Sequence, residues 1–245
     1  MKLSILTIFP QLFDSFLQAP VLQRAVRKGV LEIKIVDLKE YAPGSFRHID
    51  DSPFGGGPGM IMRCQPVLDA LREILTEDGN TGRTLTAALT PAGKTFTQRT
   101  AHRYAEDVEH LILLCGHYEG MDERIFRHVD EEISVGDFIV TGGEIPAMAV
   151  ADAVIRLLPG AIRQESTGEE SFENGLLEYP QYTQPAVYEG DAVPDVLLSG
   201  NHEKIRQWRL RESIRKTVER RPDLLEGRDF TKEEEWILRD LRAEE

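Results

Sequence analysis

Residues 116–124 read GHYEGMDER and follow the apolar run Leu111-Ile112-Leu113-Leu114-Cys115. Further along, residues 134–148 read SVGDFIVTGGEIPAM. Each pattern is a strand that runs into glycine and a carboxylate, then into the start of a helix. Gly116, Tyr118, Glu119 and Gly120 mark the first turn, and Gly142, Gly143, Glu144 and Pro146 the second. Loops at the carboxyl ends of strands are where open α/β sheets bind ligands. Glycine lets a ligand approach the backbone closely, so two such loops point to a bound small molecule.

Other side chains could carry chemistry, each with a plainer reading beside it. Glu169-Glu170 lies in the polar stretch 163–178, where carboxylates usually just solvate a loop. Arg156 falls on an apolar helix pattern over 146–158 and can snorkel to solvent. Asp50-Asp51 precedes the glycine run 55–59 and can simply open a turn. Residues 201–221 hold eight Lys or Arg against three Glu. That is a solvated helix face with pairs such as Glu212–Lys216, or a face that binds phosphates without reading bases.

Several familiar motifs are excluded. A dinucleotide fingerprint starting at Gly55 would need glycine where Met60 stands. Gly93-Lys94-Thr95 resembles the end of a P-loop, but Ala88 occupies the position of the required earlier glycine. His202-Glu203 lacks the second histidine of a zinc protease. The remaining histidines are scattered.

The elements that must position these residues follow from periodicity. Strands are expected over 2–9, 30–38, 84–89, 110–115 and 133–140. Helices are expected over 13–28, 66–77, 94–106, 122–129 and 146–158, the last closed by Pro159-Gly160. Strands alternating with helices imply a mostly parallel sheet covered on both faces. After Gly160 the strand pattern ends. Residues 163–178 read as a polar linker. A basic helix is expected over 201–221, stopped by Pro222, with Leu210, Ile214 and Val218 on its buried side. Thr231 and Glu234 form a capping box for a last helix through Trp236, Ile237 and Leu241.

The chain has 245 residues, is 41% hydrophobic and carries a formal net charge of −13. It can bury a real core, and its acidity excludes a uniformly basic nucleic-acid coat while leaving room for a basic patch. Cys64 and Cys115 sit in apolar surroundings without metal-like spacing, which indicates a reducing compartment and no disulfide framework. Residues 1–9 are too short and too polar for a signal peptide and read as a first core strand. No apolar run reaches the roughly 20 residues of a membrane span. A cytoplasmic location with no membrane partner is expected.

Taken together, the segments closely resemble the bacterial tRNA (guanine-37 N1)-methyltransferases of the knotted SPOUT class. The resemblance rests on Ile8-Phe9-Pro10, DDSPFGGGPGM at 50–60, Thr90-Pro91-Ala92-Gly93, CGHYEGMDER at 115–124 and SVGDFIVTGGEIPAM at 134–148. It continues with DAVIRLLPG at 152–160, ENGLLEYPQYTQP at 173–185, LLSGNHEKIRQWR at 197–209 and RRPDLL at 220–225. It implies an α/β fold whose mostly parallel sheet is tied in a trefoil knot, over residues 1–160. A flexible linker over 161–175 and a small helical tRNA-binding domain over 176–245 would follow.

The resemblance also implies a homodimer with the active site at the subunit interface, tRNA as partner, and no DNA. The methyl donor would be S-adenosyl-L-methionine. Its loops fall on Thr90 and Pro91, on Gly116, Tyr118, Glu119 and Gly120, and on Val135, Gly136, Asp137, Phe138, Ile139 and Val140 with Gly142, Gly143 and Pro146. Asp50, Gly59, Met60, Ser199, Gly200, Asn201, His202, Arg209 and Arg215 fall to tRNA. Guanine N1 must lose a proton as the methyl arrives, and charge moves toward O6. The family's base is an aspartate just before Ser-Phe, and Glu170 stands there, keeping the carboxylate and adding a methylene. The O6 partner falls on Arg156. A magnesium requirement goes with the family, and Glu119 and Glu170 are carboxylates that could help hold the ion. Two other readings stay open: a related enzyme acting on a ribose 2′-OH, and a non-catalytic RNA-binding module.

Overall fold

The structure is a computed structural model that describes residues 1–77, 79, 82–162 and 168–244. The chain divides into two compact units, Met1–Arg163 and Gln164–Glu245. Of the linker expected over 161–175, residues 163–167 lie outside the described residues.

The first unit contains strands β1 (Lys2–Thr7), β2 (Glu32–Asp37), the short antiparallel pair β3 (Asp50–Asp51) and β4 (Ile61–Met62), then β5 (Thr84–Thr95), β6 (His110–Cys115) and β7 (Glu131–Ser134). Its helices are α1 (Asp14–Leu17), α2 (Pro20–Arg27), α3 (Cys64–Glu77), α4 (Gln98–Asp107) and α5 (Glu144–Ile155). Five strands form one parallel sheet in the order β2-β1-β6-β5-β7. β6 is central and buried at every residue, which explains its uninterrupted apolar sequence. Ile5 of β1 pairs with Ile35 on one side and Leu113 on the other.

The period of two along the strands divides the core into two layers. Leu3, Ile5, Ala87, Leu89, Leu111 and Leu113 face α2, α4 and α5. Leu6, Ala88, Ile112 and Leu114 face α3 through Val67, Ala70, Leu71 and Ile74. Both layers are closed to solvent, so truncating a residue such as Leu113 to Ala costs about 2–5 kcal/mol.

Several elements differ from expectation: the helix expected over 122–129 is a 3-10 segment, Glu123–His128, and the one expected over 94–106 begins at Gln98, since Lys94 and Thr95 end β5. The helix expected over 13–28 is broken, because Ala19 precedes Pro20 and is held extended at ψ 133°. β5 runs on through Pro91 to Thr95, since Gly93 lets its backbone pass against Ile133; a Cβ there would lie 2.3 Å from the Ile133 nitrogen. The register shifts between Leu89 and Lys94, and that irregularity accommodates Pro91. The strand expected over 133–140 ends at Ser134. Gly136 adopts φ +143°, and the Ser134 hydroxyl turns back onto its carbonyl.

The second unit holds a two-stranded ribbon, β8 (Val187–Tyr188) with β9 (Asp191–Ala192), and helices α6 (Asp195–Leu198), α7 (His202–Arg220) and α8 (Lys232–Glu244). Its core is Leu176, Ile214, Ile237 and Leu241, with Leu210 and Val218 packed against it. The capping box forms as the sequence implies: the Thr231 hydroxyl accepts from the Glu234 N–H at 3.2 Å, and Glu234 accepts from the Thr231 N–H at 2.8 Å. The linker residues from Gly168 onward belong to this unit.

Candidate active site

The loops that leave β6 and β7 at their carboxyl ends, with the irregular stretch 89–92 inside β5, surround a cavity of about 580 Å³, closed at one side by the start of α5. Thr90, Pro91, Gly116, Tyr118, Glu119, Gly120, Val135, Gly136, Phe138, Ile139, Val140, Gly142, Gly143 and Pro146 all line it. Asp137 does not; it is exposed, between two residues that do. Leu89, His117, Glu132, Ser134 and Thr141 also line the cavity.

The walls are tied to one another by backbone. The Gly143 N–H donates to the Gly116 carbonyl at 2.7 Å, and His117 and Gly142 form an isolated antiparallel bridge. On the other side, the Glu119 N–H donates to the Met60 carbonyl at 3.1 Å and the Met62 N–H to the Gly120 carbonyl at 2.9 Å. The segment carrying Asp50, Gly59 and Met60 therefore flanks the cavity loop. A Cβ on Gly59 would collide with the Glu119 side chain. Tyr118 turns through φ +59°. Partial burial, and the nearby Asp50 carboxylate, raise the pKa of its hydroxyl.

Gly142 and Gly143 line the cavity and also let two segments meet closely. A Cβ on Gly142 would lie 2.3 Å from His117 Nδ1, and one on Gly143 would lie 2.7 Å from Cys115 Cα. On the side where a Cβ would stand, Gly142 meets His117 and Gly143 meets the end of β6. They allow α5 to start against the end of β6.

Behind the cavity wall lies a buried polar group that sequence reasoning missed. Glu144 begins α5 and is 2% exposed. Its Oε1 accepts from the Thr7 hydroxyl at 2.7 Å, and that hydroxyl in turn accepts from the Phe9 N–H at 2.9 Å. Its Oε2 lies 3.6 Å from His117 Nδ1, a buried atom with no hydrogen-bond partner among the described residues. The imidazole packs edge-on to Phe9 and Tyr118, both at 5.0 Å. A carboxylate at a helix start is favoured by the helix dipole, and the Thr7 hydroxyl repays part of its desolvation. Burial, and the charge of Glu144, push the Cys115 thiol well up. The only trace in the sequence is that Glu144 directly follows Gly142-Gly143 and His117 sits inside the first glycine loop.

The remaining sequence candidates lie elsewhere. Arg156 caps the carboxyl end of α5 and is not among the residues lining the cavity. At 1.5 Å per residue that is about 18 Å along the helix from Glu144. Glu170 belongs to the second unit, as do Ser199, Gly200, Asn201, His202, Arg209 and Arg215. Asn201 caps α7 by accepting from the Lys204 N–H at 3.1 Å. Much of the positive charge on α7 is neutralised locally. Arg206 bridges Glu203 and Glu233, each at 2.8 Å, Arg211 meets Asp240 at 2.6 Å, and Arg215 meets Glu212 at 2.7 Å. The Glu212–Lys216 pair expected from sequence gives way to Glu212–Arg215, while Lys216 donates to the Glu178 carbonyl at 3.0 Å. Among the described residues, no group of three or more His, Cys, Asp or Glu could hold a metal ion. Glu119 and Glu170, the carboxylates weighed for magnesium, fall in different units. No helix among the described residues is long and apolar enough to cross a membrane.

Comparison with known proteins agrees with this arrangement. Residues 1–227 match the family described as tRNA (Guanine-1)-methyltransferase TrmD. A tRNA (guanine-N(1)-)-methyltransferase of Halalkalibacterium halodurans is 47% identical over 247 residues, covering 100% of this chain and 99% of the relative. Those of Bacillus subtilis and Fusobacterium nucleatum are 47% and 46% identical, covering 97% and 100% of this chain and 98% and 100% of the relatives. Such coverage at such identity decides against the ribose-methylating and non-catalytic alternatives. A parallel sheet with a loop-walled cavity at its strand ends, and a match running the length of the chain, assign this protein to the tRNA (guanine-1)-methyltransferase family of enzymes.

Proposed function

We propose that this enzyme transfers the methyl group of S-adenosyl-L-methionine to N1 of guanine 37 in the tRNA anticodon loop. The observation that carries the proposal is the cavity. Every residue that the family resemblance assigns to the methyl donor, except Asp137, lines this one space. Bound there, the donor supplies an electrophilic methyl on a sulfonium centre. Its walls combine the glycine-bearing loops at Gly116 and Gly120 and the 135–143 segment with apolar surface from Leu89, Ile133 and Pro146.

Glu170 takes the N1 proton of the flipped-out guanine, and Arg156 answers the charge that develops on O6. In its own subunit Arg156 lies a helix length from the cavity, which favours an active site shared between two copies of the chain. The reading includes the trefoil knot, residues 1–160 as catalytic domain and 176–245 as tRNA-binding domain. A cytoplasmic location accords with two free cysteines, one of them buried.

The test is single-turnover methylation of tRNA by Glu170→Gln, which keeps the side chain's size but cannot accept the proton. The rate should fall by about 10²–10⁴-fold, the usual share of a general base. Glu170→Asp, which restores the family's residue, should be the milder change. A wild-type rate for Glu170→Gln would remove Glu170 from the chemistry.

A further inference from the structure

Glu170 sits between two residues that are both tied down. On its amino side, Glu169 Oε2 accepts from the Tyr179 hydroxyl at 2.6 Å and from Arg209 Nη1 at 3.3 Å. The Arg209 guanidinium also lies over the Tyr179 ring, 4.7 Å from its centroid. On its carboxyl side, the Ser171 hydroxyl accepts from the Glu178 N–H at 2.9 Å. Both tethers end on residues 178 and 179, and that stretch is itself fixed to α7. Leu176 is 1% exposed, the Leu177 N–H donates to the Thr217 hydroxyl at 2.9 Å, and Lys216 holds the Glu178 carbonyl at 3.0 Å.

We propose that Glu169, Tyr179 and Arg209 are positioning residues that hold the backbone of Glu170 in register for proton abstraction. The proposal rests on the reading of Glu170 as the base. Glu169 Oε2 already receives two donors, so this carboxylate is built to anchor and not to abstract. Arg209 is engaged with the loop and is not simply one of a row of phosphate-binding cations. Hydrogen bonding to Glu169, after burial, also holds the Tyr179 hydroxyl protonated, with its pKa pushed up to about 12. The phenol therefore remains a donor to Glu169 at neutral pH.

An exposed pair of this kind adds little to stability, whereas a misplacement of about 1 Å can cost about 10²-fold in rate. That difference separates positioning from a merely structural role. The experiment is a double-mutant cycle of Glu169→Ala and Glu170→Gln. It uses the full-length protein with a tRNA transcript carrying guanine at position 37, and reads single-turnover rate, tRNA affinity and melting temperature. Glu169→Ala should slow methylation by about 10–100-fold, with tRNA affinity and melting temperature nearly unchanged. Glu169→Gln, which keeps an acceptor for Tyr179, should recover most of the rate, and Tyr179→Phe should fall between them. In the Glu170→Gln background, Glu169→Ala should have no further effect, because there is no base left to position.

A normal rate for Glu169→Ala beside a slow Glu170→Gln overturns the positioning proposal and leaves the base in place. Additive losses in the double variant, or a Glu169→Ala defect that is entirely weaker tRNA binding, overturn it too. A normal rate for Glu170→Gln overturns the base, and the positioning proposal with it.

Discussion

Gly143→Ala is the smallest change that probes how the cavity is built. A Cβ at this position lies 2.7 Å from Cys115 Cα, 2.8 Å from the Gly116 nitrogen and 3.1 Å from the Cys115 carbonyl carbon. All three are backbone atoms at the end of β6, so no flexible side chain can yield. Ordinary carbon contacts begin near 3.4 Å, so the start of α5 must back away by roughly 0.7 Å, within the range where overpacking costs about 1–3 kcal/mol. The Gly143 N–H bond to the Gly116 carbonyl, 2.7 Å long, stretches in the same movement. For a unit of this size the melting temperature should drop by about 2–12 °C. S-adenosyl-L-methionine affinity, read by titration calorimetry, should fall as well, since Gly116 and Gly143 both line the cavity. Gly168→Ala is the control. A Cβ there meets nothing within 4 Å, so stability should stay within about 0.5 kcal/mol. If Gly143→Ala melts and binds like the wild type, α5 does not start against β6 as described.

Three further outcomes follow from the same structure. Glu131 accepts from Arg103 and from the Tyr104 hydroxyl, both at 2.8 Å, and Arg103 foremost holds its pKa below the usual value. A depressed folded-state pKa means this contribution is present above about pH 4.3, the ordinary glutamate value, and is lost as pH falls through the lowered one. Glu131→Gln should therefore flatten the acid limb of stability against pH in denaturant melts, and an unchanged limb would count against the pair. Lys204 and Arg220, exposed and without a carboxylate partner among the described residues, should each contribute about 0.7–0.9 to the slope of log tRNA affinity against log salt; a slope unmoved by Lys204→Ala with Arg220→Ala would return α7 to a solvated face. Arg156→Ala should slow single-turnover methylation more than it weakens cofactor or tRNA binding, because the charge it answers appears only in the transition state. Weakened binding at an unchanged rate would contradict its role.

The parallel sheet was legible because burial on both faces writes continuous apolar runs, as in Leu111 to Cys115, and the strands alternate with helices. The capping box at Thr231 and the buried side of α7 were legible for the same local reason. Long-range approach was not. Nothing in the spacing says that Gly93 passes against Ile133, so β5 continues past Pro91, or that Gly142 and Gly143 abut His117 and Cys115. The Thr7–Glu144–His117 contacts join three segments far apart in the chain, and burial of a carboxylate leaves no periodic mark. The pairing of α7 cations was half legible. Composition exposed the charge run, but the partners on α8, Glu233 and Asp240, depend on how the two helices pack.

The central claim, methylation of guanine N1 at position 37, is tested most directly by identifying the product. Matched tRNA transcripts carrying guanine or adenine at position 37 would be incubated with the enzyme and S-adenosyl-L-methionine, then digested to nucleosides for mass spectrometry. The account predicts 1-methylguanosine from the guanine transcript, mapped to position 37, and none from the adenine transcript. Methylation that persists at full extent with adenine at 37, or that maps to a ribose or another base, would contradict it.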